Sequence, residues 1–532
     1  MLKQSRNRYE SGDRIITEAQ QRRRKYDLTK GPIVKGLITL SMPIMLTSLM
    51  QTAQNLISML FMARVDRPLY YAEGITRYVA AVGVASPFMW LAMAFMVGGR
   101  IGTEIGVSQS MGRKDIQGAM KYAQNGFMLA LFLGVVYCIA VFVFRNQLLS
   151  LFAMEGRPDV TEAALQYMQI AVLGLPFMFV HFLITGVYSG YGNTKLPFYI
   201  NVGAMAVNVV STWFFIFVFD MGIQGAALGL VTANVFNATL KIWAMTVYSK
   251  RPFEKFYLFG RVAWDKITQI LKWSIPVAAE SFIFTLMFML VALLVVEFGP
   301  YAVAGQNMGI QIESLAFMVG AGFSSALTAF VGQNYAAKKW TRLREARRLG
   351  MTAMACYGAF VTVILFVFAR PLVGFILNSD QEIAVAVSYL RTLALCQILF
   401  CMDGVAIGFF RGRGKTTRPS VVIISSGIFR VAVAYAFVRG FMVGGFGFGP
   451  LAAHISPDGL LGFLVQTNEY GNVVAGIGAL WLAVALSKTL RSSWLLIWSL
   501  LTNKEMPRDD EPEELEEVAD NAEELETAEV GA

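Results

Sequence analysis

The sequence predicts an all-α polytopic membrane protein of about twelve transmembrane helices, arranged as two parallel six-helix repeats. Three observations predict it: too much apolar surface for one soluble core, long uncharged stretches of spanning length, and an internal repeat. Of 532 residues, 56% are hydrophobic and 15% charged, against roughly 25% charged in a soluble domain. A mean hydropathy of +0.53 over this length leaves apolar surface that only lipid can cover.

Spans are expected over residues 37–63, 79–108, 127–144, 163–189, 198–218, 223–248, 274–298, 302–332, 350–369, 383–410, 420–442 and 473–500. Their lengths suit a hydrocarbon core of about 30 Å crossed by a helix rising about 1.5 Å per residue. Barrel strands would instead alternate polar and apolar residues over about ten positions. Pro43 in the first span and Pro276 in the seventh predict kinks, because proline lacks the N–H that closes a helical turn. The expected organisation is a basic N-terminal segment (1–36), an N-terminal six-helix lobe (37–248), an inter-lobe linker (249–273), a C-terminal six-helix lobe (274–500) and an acidic tail (501–532).

Charge predicts orientation. The first thirty-five residues are polar and end in Arg22, Arg23, Arg24 and Lys25, so a cleavable signal peptide is not expected and this run belongs on the cytoplasmic side. Twelve crossings then place both termini there. Basic residues crowd the inside loops at 338–348 and 411–418, whereas the outside loop 443–472 has no Lys or Arg. Arg64, Arg67 and Arg77 in the first outside loop run against the trend. The formal charge of +9 includes a tail, 505–532, with thirteen acids and one base. That tail reads as a solvated extension. Placement of the remaining bases in short loops excludes nucleic acid as a partner. Cys138, Cys356, Cys396 and Cys401 lie in or beside apolar stretches without CxxC spacing, so neither disulfides nor a metal site is expected.

The repeat fixes the topology. Gly186, Gly190, Gly192, Thr194 and Pro197 recur as Gly408, Gly412, Gly414, Thr416 and Pro419 at a constant offset of 222. At an offset of 224, Gly98 matches Gly322, Gln109 matches Gln333 and Gly126 matches Gly350. Six helices return each half to its starting side, so the halves are parallel, with a substrate path between them. Gly414, Lys415 and Thr416 resemble the end of a phosphate loop, but the earlier glycine is replaced by Phe409 and the other copy has Asn193. Gly192 and Gly414 are therefore read as structural turns.

Ionisable residues inside spans cost roughly 2.5–3.5 kcal/mol each on insertion scales, so each needs a reason. Arg100 and Glu104, four apart, can pair on one helix face. Glu313 has no partner in its own helix and is a candidate proton or cation site. Glu280, one turn past Pro276, could hold a cation or tie the kinked helix to its neighbour. Asp403 could bind a coupling ion or pair with Arg411, two turns on. Arg430 needs a carboxylate or carbonyls, as a structural bridge or a substrate contact, and His181 reads as a packing residue. Gln51, Gln54, Asn55 and Met59 in the first span suggest a cavity wall both polar and deformable.

Residues 31–43 (Gly31 to Pro43), 107–115 (Val107 to Asp115), 312–320 (Ile312 to Gly320), 331–334 (Val331 to Asn334) and both Gly/Thr/Pro turns resemble the multidrug and toxic compound extrusion (MATE) family, within the multidrug, oligosaccharidyl-lipid and polysaccharide exporter superfamily. The resemblance runs from Gly31 to about residue 500. It implies a V-shaped pair of six-helix lobes that export amphipathic, often cationic compounds against an inward flow of protons or sodium. Ser58 and, after Asn208, Thr212 stand where family members carry coupling aspartates. Coupling is accordingly expected in the C-terminal lobe, at Glu280, Glu313 or Asp403.

The expected protein is a secondary antiporter of the cell inner membrane, monomeric, without cofactor beyond H+ or Na+, and not an enzyme. Its substrate, a small organic or amphipathic compound, would sit between helices 1, 2, 7 and 8, near Asn208, Gln306, Asn307 and Arg430. The alternative is a flippase for a lipid-linked precursor, which a row of arginines in the cavity would favour.

Overall fold

The computed structural model describes residues 26–65, 77–150, 158–249, 251–253, 256–296, 298–377, 379–443, 465–467, 473–475, 477–504 and 507. The basic run at 22–25, most of the outside loop 443–472, nearly all of the acidic tail, and the side chains of Asn55, Ser58 and Met59 lie outside the described residues.

In chain order the helices are α1 (Ile33–Val65), α2 (Arg77–Gly112), α3 (Ile116–Ser150), α4 (Pro158–Ala171), α5 (Leu175–Tyr191), α6 (Lys195–Trp213), α7 (Gly222–Thr246), α8 (Trp264–Val296), α9 (Pro300–Ala336), α10 (Trp340–Val367), α11 (Ala369–Gly374), α12 (Asp380–Ala394), α13 (Gln397–Gly412), α14 (Thr417–Val443) and α15 (Gly478–Lys504). Among the described residues, eleven stretches are long and apolar enough to cross a membrane, and α12 with α13 make a twelfth if taken as one bent span. Large apolar side chains such as Phe132, Ile139, Val143, Phe360 and Val363 are exposed on the outer helix faces, as a lipid solvent requires.

Three spans depart from the expected continuous α-helices, the fifth by ending in a π turn at Phe214–Val218 and two others by breaking. The fourth is interrupted by a 3-10 turn at Val172–Gly174, because Pro176 cannot donate into the preceding turn. The tenth bends by 57° between α12 and α13. There the Thr362 hydroxyl of α10 donates to the Ala394 carbonyl at 3.1 Å and the Cys396 thiol to Leu393 O at 3.2 Å, re-satisfying backbone groups that the break sets free. The twelfth span starts at Gly478 rather than 473, since Val473–Ala475 (β2) pairs antiparallel with Val465–Thr467 (β1), Val465 opposite Ala475.

Each half has its own apolar core. One joins α2, α3, α4, α5 and α7 around Phe88, Phe127, Met168, Phe179 and Tyr188. The other joins α8, α9, α10, α12 and α15 around Val295, Leu365, Tyr389 and Trp481. The halves meet along four helices: α2 packs on α8, α1 on α9, and α2 on α9. The first two contacts are repeat-equivalents of each other. Gly98 makes the close approach possible on one side, since a Cβ there would lie 2.8 Å from Ser274 O. Its repeat-equivalent Gly322 does so on the other, 2.8 Å from Met45 Cγ.

Candidate functional site

The four seam helices touch mainly through the first halves of α1 and α8 and the last halves of α2 and α9. At that end, which the charge distribution predicts to be cytoplasmic, two glutamines cross the seam. Gln109 Nε2 donates to the Gly412 carbonyl at 3.1 Å, and Gln333 Nε2 donates to the Gly190 carbonyl at 2.9 Å. Donors and acceptors are both repeat pairs, so each lobe grips the glycine turn of the other. The turns themselves need glycine, with φ of 97° at Gly192 and 81° at Gly414, the left-handed region that side chains disfavour.

The chain before α1 is clasped at the same end. Gln333 Oε1 accepts from Leu28 N at 3.0 Å, Asn334 Nδ2 donates to Leu28 O at 3.2 Å, and Arg342 Nη1 donates to Gly31 O at 2.9 Å. Exchanged against water, each such bond is worth about 0.5–1.5 kcal/mol net, more where a charged group donates. A handful of them holds the end closed yet leaves it openable by a ligand that prefers the other state. Towards the opposite end Gln51 and Asn307 are exposed, Gln54 is half-buried and Gln306 is buried.

In the C-terminal half every candidate carboxylate has a cation. Glu280 accepts from Arg411 Nη2 at 2.9 and 3.0 Å and from the Ser420 hydroxyl at 2.7 Å, tying α8 to α13 and α14 just beyond Pro276. Glu313 is paired with Lys488 and accepts from the Tyr389 hydroxyl at 2.6 Å. Asp403 accepts from Arg491 Nε at 2.9 Å and from Ser492 Oγ at 3.1 Å. The expected pairing of Asp403 with Arg411 does not form. Two turns of one helix separate residues by about 12 Å, whereas α15 presents Arg491 directly across. Arg430 donates from Nε to Ser487 Oγ of α15 at 2.9 Å, which ties α14 to α15. A coupling cation at any of these acids therefore competes with a resident guanidinium or ammonium.

The N-terminal half holds a cavity of about 60 Å³ among α1, α2, α5, α6 and α7, lined in part by Gln51, Arg100, His181, Ser189, Asn201 and Lys241. Arg100 and Glu104 pair as their spacing predicts, Nε to Oε2 at 3.7 Å, and Arg100 Nη2 also reaches Ser325 Oγ of α9 at 2.7 Å. Lys241 is fully buried. Asn208 is buried on α6, with its Oδ1 making no hydrogen bond among the described residues.

Sequence reasoning missed Lys241, Lys488 and Arg491. The signal was present, since Ser487, Lys488, Arg491 and Ser492 recur at helical spacing and form one polar stripe. It was masked by a span judged on mean apolarity.

A two-lobed bundle with a seam latched at one end and polar groups buried inside each lobe is the build of a multispanning membrane transporter. The MatE family model matches residues 43–214 and again 276–436, the two halves defined by the repeat. The chain belongs to the MatE family. It is 24% identical over 419 residues to the probable multidrug resistance protein NorM of Thermotoga maritima, covering 77% of this chain and 87% of that one. It is 25% identical to the multidrug resistance protein PmpM of Pseudomonas aeruginosa, covering 73% and 80%. Among solved structures, a MOP superfamily transporter from Pyrococcus furiosus superposes with a TM-score of 0.76 at 19% identity, covering 91% of this chain and 98% of that one. An outward-facing multidrug resistance MATE transporter gives 0.76 at 20% identity, covering 90% and 98%.

Proposed function

We propose that the protein is a secondary antiporter of the cell inner membrane, with both termini cytoplasmic, that exports amphipathic organic compounds by alternating access. The observation that carries this reading is the symmetric latch of Gln109 on Gly412 and Gln333 on Gly190. Two equivalent contacts at one end of a two-lobed bundle make a closure that rocking of the lobes can break and remake. The names of the NorM and PmpM relatives point to drug efflux. Exchange against H+ or Na+ would act at Glu280, Glu313 or Asp403, where ion entry requires Arg411, Lys488 or Arg491 to let go. A lipid flippase is the second reading, favoured by the two bases, Arg100 and Lys241, that line the N-terminal cavity.

The test is efflux of a fluorescent organic substrate from proteoliposomes under separately imposed proton and sodium gradients, comparing wild type with Glu280→Gln and Glu313→Gln. Gradient-driven efflux that falls in either variant supports coupling through the C-terminal lobe. No efflux under either gradient contradicts the antiporter reading.

A further inference from the structure

We infer that the cavity in the N-terminal lobe is a binding site for an anionic group, a carboxylate or phosphate carried by an amphipathic substrate, with Lys241 as its principal ligand. The observations are the balance of bases and acids around that space and the unpartnered Ser189 hydroxyl in its wall. The Lys241 ammonium touches only neutral acceptors: Thr185 Oγ1 at 2.8 Å, Asn201 Oδ1 at 2.9 Å and the His181 carbonyl at 3.3 Å. It forms no ion pair among the described residues. Arg100 adds a second cation to the wall, and Glu104, fully buried, answers Arg100. Around the cavity two bases thus stand to one acid inside a membrane-embedded lobe, where a charge without a counter-charge is expensive. In the C-terminal lobe each buried acid also meets its own base, and Arg430 is the base left over there, on the Ser487 hydroxyl.

A donor remains for a ligand. The Ser189 hydroxyl, 1% exposed, lines the cavity and is buried without a hydrogen-bond partner among the described residues. At about 60 Å³ the space holds a few waters or one oxyanion. A drug-sized pocket is several times larger. Only the charged head enters, therefore, and the body of the substrate stays outside, past the exposed Gln51 at the cavity wall. Charge-assisted hydrogen bonds from ammonium and guanidinium are the strong, directional kind that select such a head. As a statement about substrate class this rests on the transporter reading, and it replaces the cation expected from family resemblance with an anion.

The experiment is fluorescence polarisation of full-length protein in phosphatidylcholine nanodiscs, with fluorescein as the anionic dye and rhodamine 123 as a cation on the same xanthene frame. The expected result is binding of fluorescein about ten-fold or more tighter than rhodamine 123, a loss of about ten-fold in Lys241→Met, and retention in Lys241→Arg. Displacement by lysophosphatidic acid where inorganic phosphate fails assigns a lipid-borne head. Displacement by both assigns a small soluble anion. Equal or tighter binding of rhodamine 123, or unchanged fluorescein binding in folded Lys241→Met, overturns the inference. Should Lys241→Met not fold, the wild-type preference between the dyes decides. Fluorescein binding without gradient-driven transport would count against the antiporter and keep the site. Rhodamine transport without fluorescein binding would do the reverse.

Discussion

Lys488 and Arg491 of α15 flank the ring of Phe400, 4.5 and 5.0 Å from its centroid, while reaching Glu313 and Asp403. Removing one member of such a buried pair leaves a bare charge and costs about 3–5 kcal/mol, whereas removing both is far cheaper. Glu313→Gln should therefore lower the thermal unfolding midpoint of the purified protein clearly, and Glu313→Gln with Lys488→Met should recover most of the loss. Additive losses in the double variant would show that the two side chains act independently. The acids themselves were legible in the sequence because a charge in an apolar run stands out. Their partners were not, since pairing depends on which helix lies opposite, and Arg411 answers Glu280 from 131 positions away.

At the scale of the element, breaks and turns carry the specific information. Gly192 holds φ at 97°, and a Cβ there would stand 2.7 Å from Tyr26 O. Gly83 lies in the interior of α2, and a Cβ there would meet nothing within 4 Å. Gly192→Ala should destabilise by more than about 1 kcal/mol, and Gly83→Ala should stabilise by up to about 1 kcal/mol. Thermal unfolding in one detergent compares them, and equal shifts would contradict the account. Thr362→Val should cost about 1 kcal/mol or more by stripping the Ala394 carbonyl at the 57° bend of its partner. The twelve apolar runs announced the spans because length and hydropathy suffice for that. The bend at Leu395 and Cys396 was hidden, since neither glycine nor proline marks it and the hydroxyl that caps its free carbonyl comes from another helix.

For the whole molecule, the repeat said more than any single motif. An offset near 223 in the sequence becomes a near-symmetric seam, down to the positive φ of 63° at Lys114 and 54° at Lys338, which follow α2 and α9. What the repeat left unstated was that its glutamines and glycines serve the opposite lobe, because contact across an axis has no sequence spacing. Gln109→Leu with Gln333→Leu removes both seam bonds, worth about 1–3 kcal/mol together, and should shift the resting population several-fold towards opening at that end. The central claim is that the two lobes rock about this latch. The most direct test is a pulsed electron–electron distance measurement between spin labels at Arg113 and Ala337, which follow the ends of α2 and α9, in a protein freed of its four native cysteines. Two interconverting distances, with the longer enriched by Gln109→Leu/Gln333→Leu, are the predicted result. A single distance unmoved by the double substitution, by a gradient or by substrate would contradict it.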